Sequence, residues 1–255
     1  MMNEELDPTQ RFSDRAANYA RYRPGYPHAI LAVLRDEHGL APHMAIADIG
    51  SGTGILTELF LRNGNQVFAV EPNEAMRQQA EVRLSDYPNF ISVPGKAEAT
   101  TLADHSVQLV TAGQAFHWFD ATAARVEFQR ILSAGGLVAL VWNARAYENN
   151  ALMAAYEQVL HDFGMGYHTV RHRSHEGDLA LLYQEGYTFR QFTQTRELDF
   201  DTFWGGFLSA SYAPLPGEPK YVPVQQALRS VFETYRQGDH VTFLYDTHLY
   251  VGRIT

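Results

Sequence analysis

The stretch Ile46-Ala-Asp-Ile-Gly-Ser-Gly-Thr-Gly-Ile55 decides the fold. A short apolar strand carries Asp48 near its end, and Gly50, Gly52 and Gly54 then open a helix. Glycine accepts left-handed backbone angles at little steric cost and lets a ligand approach the main chain closely, so this turn suits a bound group. A second apolar run, Gln66–Val70, leads to Glu71. An acid in that place can accept hydrogen bonds from both hydroxyls of a ribose, and the two features together read as a nucleoside site.

The glycine spacing separates two kinds of nucleoside. The dinucleotide fingerprint G-x-G-x-x-G aims a helix N-terminus at a pyrophosphate. Here the glycines fall at 50, 52 and 54, with Asp48 just before them. That carboxylate repels a pyrophosphate and attracts the ammonium of an amino-acid moiety. The plainer alternative is a tightly packed turn, with Glu71 a solvated cap. Asp48-Ile-Gly-Ser-Gly-Thr-Gly54 followed by Glu71 resembles the first two motifs of class I S-adenosylmethionine-dependent methyltransferases with a type-11 methyltransferase domain. The resemblance implies S-adenosyl-L-methionine as cofactor, held by Asp48, Gly50, Ser51, Gly52, Glu71 and Pro72.

The likeness runs over roughly residues 44–143. Asn89–Val93 reads as a third strand, and Gly95-Lys96-Ala97-Glu98 stands where the family wraps the adenine, which implicates Ala97 and Glu98. Many relatives place Asp ahead of that Ala; Lys96 cannot accept a hydrogen bond. Ser106–Ala112 reads as a fourth strand entering Gln114-Ala115-Phe116-His117-Trp118-Phe119-Asp120. This stretch is similar to the segment beneath the methionine part of the cofactor in a trans-aconitate-type small-molecule subgroup, which adds Gln114, Ala115 and Trp118 to the cofactor set. His117, at the rim of the sheet, is the candidate general base, or else a residue that orients the loop through the backbone. Gly136–Trp142 is the fifth strand.

Helical patterns at Ile55–Asn63, Asn73–Tyr87 and Ala121–Ser133 alternate with these strands, which predicts an α/β, Rossmann-like parallel sheet with helices on both faces. Asn73 is placed as an N-cap, and Gly135 and Gly136 are expected to end the helix from Ala121. Tyr147–Phe163 is helical and Gly164–Glu176 a loop. Phe189–Leu198 and Val241–Ile254 alternate as strands and are expected to close a seven-stranded sheet as its antiparallel sixth and seventh members.

The chain is expected to be one domain, 1–255, with an N-terminal lid segment at 1–28, a cofactor-binding core at 40–145 and a helical insertion at 199–238. The insertion holds Phe200–Ser211, Pro214–Pro219 and Tyr221–Arg236, and serves either to enclose substrate or only to cover the sheet. At the other end, Phe12, Ala16, Tyr19 and Ala20 recur at helical spacing before Tyr22-Arg23-Pro24-Gly25-Tyr26-Pro27, whose prolines end the helix. The pattern resembles the segment over the cofactor in the same subgroup. It implies that Tyr22 and Arg23 meet the methionine end, with Arg23 beside His117 in the catalytic set; an apolar stripe on the sheet is the alternative. Tyr19, Arg145, Trp204 and Tyr212 are the candidate substrate contacts.

Composition narrows the partners. The 255 residues carry a formal charge of −9, with 45% hydrophobic and 19% charged residues, which describes a globular chain and disfavours a nucleic-acid partner. Zero cysteines exclude disulfides and thiolate metal sites. His172 and His175, three apart near His168, have no carboxylates nearby at a matching periodicity and read as a solvated loop, so no metal is expected. Residues 1–11 lack the apolar core of a signal peptide and no apolar run is long enough for a bilayer, so a cytoplasmic monomer or homodimer is expected. The expected activity is O-methylation of a small carboxylate or hydroxyl compound. The alternatives are a nucleic-acid or protein methyltransferase, or a non-catalytic nucleoside binder; a nicotinamide oxidoreductase is disfavoured by the glycine spacing.

Overall fold

The computed structural model describes residues 15–146, 150–164, Tyr167 and 176–254. Phe12, Tyr147 and the His168, His172 and His175 group lie outside the described residues. Strands β1 (Ala45–Ile49), β2 (Gln66–Val70), β3 (Phe90–Val93), β4 (Val107–Gly113) and β5 (Leu132–Arg145) pair in parallel. β1 and β4, at the centre, are buried along nearly their whole length, as strands covered by helices on both faces must be. The sheet order is β3-β2-β1-β4-β5-β7-β6, with β6 at Thr188–Leu198 and β7 at Val241–Gly252. The order reverses between β1 and β4, so the loops after those strands part into a crevice.

β7 is antiparallel to β5 on one side and to β6 on the other. β6 therefore runs with the first five strands, which corrects the expectation that both closing strands oppose them. The cause is topological: β7 enters between β5 and β6, and one reversal restores the direction.

The helices are α1 (Ala16–Tyr22), α2 (Ala29–His38), α3 (Ile55–Arg62), α4 (Glu74–Arg83), α5 (Ala121–Ile131), α6 (Ala151–Phe163), α7 (Glu176–Leu182), α8 (Phe200–Leu208) and α9 (Tyr221–Tyr235). Asn73 caps α4 as read, its side-chain oxygen accepting the Met76 N–H at 3.0 Å, but the helix stops at Arg83 rather than Tyr87. Gly135 and Gly136 do not end α5. The helix passes at Leu132 directly into β5, whose pairing jumps from Val107↔Leu132 to Leu109↔Leu137, so Gly135, at φ 77°, sits in a strand irregularity.

Two apolar clusters cover the two sheet faces. Phe116, Phe128, Leu140 and Trp142 anchor one; Ile30, Leu34, Phe60, Leu84 and Val141 anchor the other. A third cluster, with Tyr156, Phe203, Trp204, Phe207, Phe232 and Phe243, joins α6, α8, α9 and the strand segments near them. α1 lies on α8 beside this third core. Arg15 Nη2 donates to the Ala213 carbonyl at 2.7 Å and Arg23 Nη2 to the Ser209 carbonyl at 3.4 Å. A Cβ on Gly205 would lie 2.5 Å from the Tyr22 ring, so the absence of a side chain there lets helix and insertion touch. Residues 15–23 and the insertion are thus joined.

Candidate functional site

The glycine turn is shaped by close approach. Gly50 and Gly52 have φ of 65° and 57°, and a Cβ on Gly50 would stand 2.7 Å from the Ala115 Cβ. The Gly52 N–H donates to Glu71 Oε2 at 3.0 Å and the Asn73 N–H to Oε1 at 2.9 Å, so the acid after β2 is aimed back at the turn after β1. Burial raises the Glu71 pKa, although both amides hold it down. A cleft of about 770 Å³ opens here, lined by Tyr19, Gly50, Gly52, Glu71, Pro72, Ala97, Glu98, Gln114, Ala115 and Trp118 from the sequence reading. Asn73, Met76, Lys96, Gly113 and Phe119 complete its wall. The Glu98 carboxylate accepts the Asp120 N–H at 2.9 Å, which pins the loop after β3 to the start of α5.

Beyond Gly50 and Gly52 a middle chamber of about 420 Å³ contains Arg23, Asp48, Ser51, Tyr26 and Asn143, and again Tyr19 and Gln114. Asp48 is 1% exposed. Its Oδ2 accepts the Thr57 hydroxyl at 2.5 Å, while Oδ1 is buried with no partner among the described residues. Burial pushes its pKa up to about 7, against the Thr57 hydrogen bond. The Arg23 guanidinium lies 4.9 Å from the Tyr19 ring centroid, and its Nε is likewise buried without a partner among the described residues. One chamber thus holds an acid and a guanidinium, each with an unsatisfied buried atom.

An outer chamber of about 540 Å³ follows, with Tyr22, Arg23, Gln114, Asn143, Arg145, Tyr156, Phe203, Tyr212, Phe243 and Tyr245 on its wall. Arg145 donates from Nη1 to the Tyr212 hydroxyl at 3.2 Å, from Nη2 to the Tyr167 hydroxyl at 2.8 Å, and from Nε to Glu157 at 3.4 Å. The Tyr167 hydroxyl also donates to Glu157. Burial raises the pKa values of Tyr156 and Tyr245, which keeps both phenols protonated.

The predicted residues therefore divide. Tyr19 lies on the cleft and middle chamber, whereas Tyr22 faces the outer chamber. Trp204 is in the third core, stacked on Phe207 at 5.4 Å, and lines none of the three chambers. His117 lines none of them either; it sits in the 3-10 turn Phe116–Trp118 with its ring against Trp118. Sequence reasoning did not pick out Met76, Asn143, Tyr156, Phe243 or Tyr245 as site residues. Met76 had a signal, its place in the first turn after Asn73; the aromatics carried none that separates a chamber wall from a core.

Among the described residues no helix is long and apolar enough to cross a membrane, and no cluster of three or more His, Cys, Asp or Glu side chains is placed to hold a metal. Residues 47–140 match a family profile described as a methyltransferase domain. An uncharacterized methyltransferase of Schizosaccharomyces pombe is 35% identical over 139 residues, covering 52% of this chain and 53% of that protein. One of Mycobacterium tuberculosis is 34% identical, with 54% of each chain covered. The chain thus spans about half the length of the curated relatives it matches. A solved structure from Anaeromyxobacter dehalogenans, provisionally assigned as a type II methyltransferase, superposes with a TM-score of 0.68 at 23% identity over 91% of this chain and 98% of that one. Residues 47–140 are thus similar to a methyltransferase domain, and the chain has the Rossmann-like methyltransferase fold.

Proposed function

We propose that this chain transfers a methyl group from S-adenosylmethionine to an oxygen of a small, anionic acceptor. The observation that carries the cofactor reading is the middle chamber, where Asp48 Oδ1 and Arg23 Nε are both buried and unpartnered. Unpaired buried polar atoms are costly, and a zwitterionic amino-acid end satisfies both at once. Asp48 would take the ammonium and Arg23 the carboxylate. Glu71 and the glycine turn would hold the ribose, with the 95–98 loop and Trp118 around the adenine.

When bound, the cofactor supplies a methyl group already activated by a sulfonium. The protein's share is then positioning. The outer chamber suits an anion: Arg23 and Arg145 are on its wall, and no Asp or Glu is among its lining residues. Glu157 stands behind Arg145 and fixes it, while Arg23, on the wall of both the middle and the outer chamber, would serve the cofactor carboxylate and border the acceptor. A carboxylate acceptor is ionised near pH 7 and needs no general base, which agrees with the place of His117 outside the chamber walls and with buried, protonated tyrosines as donors. The acidic net charge disfavours nucleic acid, and the chain is proposed to act as a monomer or homodimer.

Calorimetric titration with S-adenosylmethionine, S-adenosylhomocysteine and NAD tests the cofactor, with binding of the first two and not the third expected. A panel of small carboxylic acids, phenols and amines set against RNA and protein tests the acceptor. Turnover on RNA or protein alone would overturn it.

A further inference from the structure

We infer that Gln114 is a positioning residue for the transferred methyl group, its side-chain oxygen facing the sulfonium. The inference rests on the cofactor reading above and assigns a role inside it. Among the described residues, Gln114 is the only one that lines the cleft, the middle chamber and the outer chamber together. If the adenosine part fills the cleft and the amino-acid part the middle chamber, the sulfur that joins them lies where those two spaces meet. The walls common to both are Tyr19, Gly50, Gly52, Gly113 and Gln114. The methyl group must leave that junction toward the outer chamber, and only Gln114 of those five borders it.

The side chain is held for such a role. Its Nε2 donates to the Asn143 carbonyl at 2.8 Å, and its backbone N–H donates to the Val141 carbonyl at 2.9 Å. Because a carbonyl only accepts, the amide nitrogen must face Asn143 and the oxygen Oε1 is the free end. No described residue donates to that oxygen. Asn143 is itself tethered, donating to the Gly25 carbonyl at 3.1 Å and accepting the Thr247 hydroxyl at 2.6 Å. Gln114 also has φ 59°, a left-handed conformation that is uncommon outside glycine and clusters at functional positions. A fixed amide oxygen beside a sulfonium attracts the positive charge and accepts weak C–H···O hydrogen bonds from its methyl. The demethylated thioether offers neither.

The test compares binding of S-adenosylmethionine and S-adenosylhomocysteine to the wild type and to Gln114→Met, which keeps the length and removes the amide. We expect the preference for the sulfonium to fall by about fivefold, with affinity for the thioether held within about twofold. Retained thioether binding also reports that the cleft is folded. A second measurement needs no variant: the methyl protons of bound, methyl-labelled S-adenosylmethionine should resonate downfield of the free cofactor. Equal weakening of both ligands, no change in either, or an unshifted methyl resonance overturns the inference while the cofactor reading stands. Failure of the wild type to bind either ligand removes both.

Discussion

The glycine-rich cleft and the outer chamber solve the same problem, holding a small polar molecule, with different materials. The cleft is made largely from the chain between Gly50 and Phe119, with Gly50, Gly52 and Gly113, which present no side chain, among its walls. The outer chamber is assembled from α1, β5, α6, α8 and β7 and is walled by aromatic side chains around two arginines. Main chain varies little with sequence, so a cleft made of it suits one constant ligand. Side chains vary freely, so a chamber made of them suits a ligand that differs between relatives.

The sharpest way to break this contrast is Gly52→Val. A left-handed φ, Met76 Cε at 3.2 Å from the added Cβ, and the loss of ligand space should together remove detectable binding of S-adenosylhomocysteine in calorimetry. Retained tight binding would show that the cleft does not depend on bare main chain. Trp204→Ala should do the converse. It empties part of the third core at a cost of about 3–5 kcal/mol in denaturant unfolding, while cofactor affinity in the surviving folded protein stays unchanged. A selective change in acceptor KM without loss of stability would return Trp204 to the site.

Asp48 tests the chamber between the two. Its folded pKa, about 7, lies above the unfolded value near 3.8, so its protonated form stabilises the fold at low pH and that stability is lost as pH rises through 7. At about 1.4 kcal/mol per unit the loss approaches ~4 kcal/mol. Asp48→Asn should therefore gain stability over the wild type as pH rises from 5 to 8, and should bind S-adenosylmethionine roughly 10–100-fold more weakly at pH 8. Wild-type affinity should rise with pH across 7. Parallel melting curves for the two proteins at all pH values would refute the buried-acid account. Glu71→Ala is expected to cost about 1–3 kcal/mol of cofactor affinity, a loss of similar size, and not to abolish binding, because the glycine turn still shapes the cleft.

The same contrast explains what was legible in the sequence. Asp48, the glycines and Glu71 lie within one strand-turn-helix-strand stretch, where local spacing sets geometry. The fold followed from the same alternation. Trp204 and Tyr212 looked alike in sequence, yet one packs on Phe207 and the other turns its hydroxyl to Arg145. Eight residues and a helix end separate them, and only the packing of α8 against α9 and α6 decides which face each meets. Asn143 meets Thr247, and Tyr245 meets Arg145, through the antiparallel pairing of β5 with β7, which no local pattern announces.

The tie between the first helix and the insertion ends on main-chain carbonyls, those of Ser209 and Ala213. Any residue small enough for those buried positions offers the same oxygen, so the insertion can change its side chains, and with them what the outer chamber selects, while the fastening stays the same. Ser209→Ala, which removes only a hydroxyl bonded to the Gly206 carbonyl, should leave hydrogen exchange in residues 16–22 unaltered, whereas Arg15→Ala should loosen it. The fastening is thus indifferent to the identity of what it fastens, which permits diversification beneath a constant roof.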